Sequence, residues 1–84
     1  MDEMDAEPAY RVGPSRVVFE YTANGEPRSA AASTDALGRL AGGDLQGEPQ
    51  HIAAYKMYWK VIHRVAAELH DQGRLPVTVR VDDL

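Results

Sequence analysis

Three histidines, His51, His63 and His70, are the side chains best suited to metal or proton chemistry, and their spacing favours neither. His63 and His70 fall on one side of a helix, but seven residues lift one above the other by about 10 Å. That is too far for two ligands of one ion, and His51 points elsewhere. The spacings HxxxH and HExxH are absent. The chain has no cysteine, which removes disulfides and thiolate metal sites together. His70, near a helix C-terminus, is explained as a favourable dipole partner. Ser15, Ser29 and Ser33 lack the G-x-S-x-G context of an activated nucleophile, and Ser33 reads better as a helix cap. Asp82 and Asp83 are adjacent carboxylates at the chain end. Gly42-Gly43 is a connector, since neither G-x-x-x-x-G-K-[ST] nor G-x-G-x-x-G occurs. No catalytic, cofactor-binding or metal-ligating residue is therefore assigned, and no cofactor is expected. Only a pocket gathering His63, Tyr55 and a carboxylate would supply an enzyme.

Surfaces say more than constellations. Lys56, Lys60 and Arg64 recur every four residues on one helix face, with His63 beside them. Such a stripe serves either as an anion or nucleic-acid contact or as a solvated face partly neutralised by Glu68 and Asp71. Tyr55, Tyr58 and Trp59 hold half of the six aromatics. Tyr and Trp concentrate at binding hot spots, although core packing also uses this spacing. Trp59 is expected in the core and Tyr58 towards a partner.

One long helix, over residues 49–72, must position these groups. Pro49 suits its first turn, Gly73 its left-handed C-cap, and Pro76 forbids continuation. Ile52, Tyr55, Trp59, Ile62, Ala66 and Leu69 form one apolar stripe, which Tyr58, Val61 and Val65 widen on one flank. The apolar arc spans roughly half the circumference at about 100° per residue, wider than one sheet face requires. Either a short helix carrying Leu37 and Leu40, together with Leu45, covers the extra flank, or a second chain does.

The sheet is read from alternation. Residues 15–22 place Val17, Phe19 and Tyr21 on one face. Asn24-Gly25 is the favoured pair for a two-residue type I′ turn, and residues 26–33 return. That loop sets Phe19 opposite Ala30 and Val17 opposite Ala32, leaving room above the alanines for a bulky helix side chain. Pro27 lacks an N–H directed away from the first strand, which marks the returning strand as an edge. A last strand through Val77, Val79 and Val81 should then pair with the first. Ser33 or Thr34 caps a short helix to about residue 41, ended by Gly42-Gly43. The expected class is α+β in two layers: a three-stranded antiparallel sheet of order 2-1-3, with a short extra N-terminal strand near residues 9–12 as an option. One short and one long helix cover it, in the topology β-β-α-α-β.

At 84 residues with a net charge of −4, the chain has room for one domain whose stability is marginal. Dimerisation is one way to enlarge so small a core. Asp2, Glu3, Asp5 and Glu7 carry the whole charge excess. Residues 8–84 hold nine acidic against nine basic residues, so 1–8 read as a disordered acidic tail and 9–84 as a single domain. A neutral body disfavours strong sequence-independent nucleic-acid binding. The acidic start lacks the basic and apolar segments of a signal peptide, and no apolar run reaches the ~20 residues of a membrane span. A cytoplasmic location, with no membrane association, is the expectation.

The strand Val17-Val18-Phe19, the Asn24-Gly25 turn, Ser33-Thr34-Asp35-Ala36-Leu37, the long helix and the closing Val77-Thr78-Val79 with Asp82 together resemble the short bacterial proteins of the domain-of-unknown-function family DUF1488. The likeness covers roughly residues 10–84. It implies a compact sheet with helices and no established activity. A cysteine is common in the family's second strand, where this chain has Ala30-Ala31-Ala32, so no thiol role is implied here. The leading functional expectation is a non-catalytic protein-interaction or regulatory module with an unknown partner or a second copy of itself, using Tyr58, Val61 and Val65. The alternative is a weak nucleic-acid or acidic-partner binder through Lys56, Lys60 and Arg64.

Overall fold

The computed structural model describes residues 2–84; Met1, the first residue of the expected tail, lies outside them. A hairpin is the centre of the sheet. Strand β2 (Arg16–Ala23) buries Val17, Phe19, Tyr21 and Ala23 in strict alternation. Asn24 and Gly25 both take positive φ, 54° and 79°, as a type I′ turn requires. Strand β3 (Glu26–Ser33) returns in the register the turn dictates, with Phe19 opposite Ala30 and Val17 opposite Ala32. A short strand β1 (Ala9–Arg11) pairs antiparallel with the first residues of β2.

Helix α1 (Thr34–Ala41) starts where Ser33, in extended geometry, accepts a hydrogen bond on Oγ from the Ala36 N–H at 3.1 Å. This is the cap expected from the sequence. Gly38 is required by packing: a Cβ there would lie 3.0 Å from the Gly43 carbonyl oxygen. Helix α2 (Gly47–Asp71) begins slightly earlier than expected, but Gly47 has φ 69°, so helical geometry sets in beside Pro49. Its end is a complete Schellman motif. Gly73 N–H donates to the His70 carbonyl and Arg74 N–H to that of Leu69, both at 3.0 Å.

The sheet corrects one expectation. It has four strands in the order β1-β2-β3-β4, and β4 (Thr78–Val79) lies beside β3, parallel to it, rather than antiparallel beside β2. Two causes combine. The outer edge of β2 is already occupied by β1 and, further along, by acidic side chains of the N-terminus. Pro27 blocks pairing only near itself, whereas β4 pairs with Ala31 and Ala32 at the far end of β3. Because both helices intervene between β3 and β4, the chain crosses over and returns in the same direction. The last strand is also shorter than the 77–81 alternation suggests. After Val79 the chain turns, and Asp83 accepts the Arg80 N–H at 3.0 Å, closing a 3-10 turn over Val81–Asp83.

Both helices pack on one face of the sheet. Over β2, the Tyr55 and His63 rings of α2 each stack on Phe19 at 5.1 Å, while β3 is contacted by α1. The buried side of α2 is His51, Ala54, Tyr55, Ile62, His63, Val65, Ala66 and Leu69. Ile52 and Trp59, expected at the centre of the stripe, are only half-buried, and two histidines are buried instead. A kink at Tyr58 (φ −112°, ψ 18°) interrupts the regular periodicity between the two halves. Among the described residues, no helix is long and apolar enough to cross a membrane.

Candidate functional site

His63 is the largest surprise. The sequence places it beside the lysine stripe; in the structure it is 2% exposed. At about 100° per residue it stands on the boundary, about 20° from Ile52 on one side and about 20° from Lys56 on the other, and its contacts, not its angle, place it in the core. Its ring stacks on Phe19 and meets the Trp59 indole edge-on at 5.2 Å.

Burial of its two nitrogens requires two partners. Tyr55 Oη lies 2.7 Å from Nε2, and the Asp2 carboxylate lies 2.9 and 3.0 Å from Nδ1. Proton positions follow from the donors. The Asp5 N–H can only donate, and it does so to Tyr55 Oη at 3.0 Å. The Tyr55 hydroxyl therefore gives its own proton to Nε2, and Nδ1–H donates to Asp2. Both ring nitrogens of His63 and the Tyr55 hydroxyl are satisfied in this arrangement. Burial, the largest cause, pushes the Tyr55 phenol up to about 12. The Asp5 and Asp2 charges add to the rise, and the Asp5 N–H opposes it. Tyr21 is also raised, chiefly by burial; Arg28 counteracts this and Asp71 reinforces it.

The set that would supply an enzyme (His63, Tyr55, a carboxylate) is thus assembled, but not around a cleft. Tyr55 is 0% exposed and its hydroxyl is committed on both sides. The Tyr55 and His63 members of this relay are buried in protein, and only the Asp2 side chain, 34% exposed, reaches the surface. The relay's role is to anchor the N-terminus. The acidic stretch 1–8 was expected to be a solvated tail, yet Asp2 and Asp5 lie against β2 and α2 through five contacts.

Of the other histidines, His51 is hydrogen-bonded in place, whereas the buried His70 Nδ1 has no hydrogen-bond partner among the described residues. His51 is 6% exposed; its Nδ1–H donates to the Gly47 carbonyl at 2.6 Å, and its ring packs 5.3 Å from Tyr10. His70 lies in the last turn of α2 with Nδ1 3.8 Å from Asp71. Among the described residues, no group of three or more His, Asp or Glu is placed to hold a metal ion.

The outer surface of α2 carries the remaining candidates. Val65 is buried at 5% exposure and leaves the set, because α1 packs on that side of α2. Tyr58 and Val61 stay half-buried. Met57, which the sequence did not single out, is 74% exposed. It borders an open groove of about 250 Å³ lined by Ala41, Leu45, Ala53, Ala54 and Tyr58. Lys56, Lys60 and Arg64 are all exposed and, among the described residues, none forms an ion pair. The expected neutralisation by Glu68 and Asp71 is absent. Lys60 Nζ sits 5.9 Å from the Trp59 ring centre, within cation–π range. On the helix, Met57 follows Arg64 by about 20°, so the apolar groove and the cationic stripe are contiguous.

No protein-family model matches the sequence, and no curated protein matches it. Among solved structures, the fold is similar to the crystal structure of a protein of unknown function of the DUF1488 family from Shewanella loihica PV-4, with a TM-score of 0.74 at 16% identity. The match covers 95% of this chain and 90% of that one. At that identity the likeness establishes a shared fold, and the structural neighbour comes from the family that the sequence resembles.

Proposed function

We propose that this domain is a non-catalytic protein-interaction module that receives an acidic amphipathic helix along α2. One observation carries the reading: a 74%-exposed methionine beside an apolar groove, next to three cations that form no ion pair among the described residues. Flexible Met side chains suit adaptable binding surfaces. A helix laid in a groove is read through apolar anchors spaced three and four apart, and unpaired cations favour an acidic rim. A second copy is the weaker occupant, because pairing α2 with α2 brings two cationic stripes together.

Titration calorimetry with a helical peptide of Leu at i, i+3, i+4 and i+7 and Glu elsewhere is expected to show saturable binding. Met57→Glu should weaken binding about tenfold, roughly 1.4 kcal/mol. Absence of binding, or binding indifferent to Met57→Glu, would refute the proposal. Sedimentation at micromolar concentration is expected to show a monomer; a dimer abolished by Met57→Glu would make the occupant a second copy. The cations also suit nucleic acid. Salt-sensitive binding of DNA or RNA that is lost in Lys56→Ala/Lys60→Ala but unaffected by Met57→Glu would decide for that alternative.

A further inference from the structure

The N-terminal segment occupies a position with a chemistry of its own. In the β2–β3 register, Glu20 faces Ser29 and Thr22 faces Pro27. Counting from the two-residue turn, both are non-hydrogen-bonded pairs, so the N–H groups of Glu20 and Thr22 point away from β3. Strand β1 covers β2 only as far as Val18. Beyond it, Glu20 N–H donates to Asp5 Oδ2 at 2.9 Å and Thr22 N–H to Asp2 Oδ1 at 3.0 Å. Two carboxylate oxygens thus stand where a neighbouring strand would present carbonyls of residues two apart.

We propose that this edge of β2, residues 19–23, is a strand-docking surface that the N-terminal segment closes from within. The partner it fits is an extended peptide with an acidic side chain. Main-chain carbonyls of that peptide replace Asp2 and Asp5 on Thr22 and Glu20, and its carboxylate replaces Asp2 on His63 Nδ1–H. The acidic residue is required because displacing Asp2 alone would leave a buried imidazole donor without a partner. The edge is suited to exchange because residues 2–5 form no regular secondary structure and Glu3, Ala6 and Glu7 are exposed. Unpaired strand edges are templates for pairing with another chain. This surface is separate from the α2 groove, so Met57→Glu leaves it intact.

The test is amide exchange by NMR on the whole chain, with Asp2→Ala/Asp5→Ala as the opened variant. The probe is a blocked hexapeptide of alternating Thr and Val carrying one central Asp. In the variant, the Glu20 and Thr22 amides are expected to exchange at least about tenfold faster than in the parent protein. Addition of the peptide should restore protection at those two amides, and the same peptide with Lys in place of Asp should not. Unchanged exchange in the variant would show that the carboxylates do not hold the edge. Faster exchange with no protection by the Asp peptide would show that the edge is not a docking surface. Should the double variant fail to fold, Asp2→Ala frees Thr22 N–H and His63 Nδ1–H, the two positions the peptide must fill, and is read at Thr22 with the same two overturning results.

Discussion

His63 shows how a single polar residue can be misplaced by type and then explained by contacts. A histidine next to a run of cations suggests a wet face. Here its nitrogens are satisfied by Tyr55 and by Asp2, sixty-one residues away in sequence. No local pattern signals a partner so distant, and its angular position, about 20° from both Ile52 and Lys56, lies on the boundary between the apolar and cationic sides. Tyr55→Phe removes the donor to Nε2 and the acceptor for Asp5 N–H at once. Urea unfolding is expected to show a loss of roughly 1–3 kcal/mol, the penalty for unsatisfied buried groups. The same phenol sets an alkaline limit. Its folded value of about 12 lies above the ordinary tyrosine value of 10.0, so the unfolded chain releases this proton first as pH rises. The stabilisation is complete below pH 10 and is lost as pH climbs towards 12. Ultraviolet titration of the folded protein should show a phenolate step near pH 12 that is missing in Tyr55→Phe.

At the scale of elements, the hairpin was fully legible and the last strand was not. Alternation from Val17 to Tyr21 and the Asn24-Gly25 pair determine turn type, register and inward face together, because a two-residue loop permits one alignment. The helix ends were legible for a similar reason, since Ser33 and Gly73 act on backbone groups within their own turn. Ser33→Ala is expected to cost about 1 kcal/mol in thermal or urea unfolding. The partner of β4 is a tertiary matter. Pro27 does forbid a neighbour at its own position, but a prohibition at one end of β3 leaves Ala31 and Ala32 free at the other. Which edge was vacant depended on β1 and on Asp2 and Asp5, whose contribution as acceptors composition does not reveal.

For the whole molecule, α2 divides into an inner surface that builds the core and an outer one that the core does not need. Of the three flank residues chosen from sequence, Val65 is covered and Tyr58 and Val61 remain partly open, while Met57 is the most exposed of the set. The kink at Tyr58 and the packing of α1 decide this, and neither is written in helical periodicity. Met57→Glu should change folding stability by no more than about 0.5 kcal/mol, as expected for an exposed site, so any effect on binding is separable from folding. The most direct measurement is a two-dimensional amide NMR titration of the protein with the Leu/Glu helical peptide, repeated on Met57→Glu. A helix-docking module requires shifts concentrated at Ala53, Met57, Tyr58 and Val61 that vanish in the variant. Shifts that are absent, or that fall elsewhere on the surface, would contradict it.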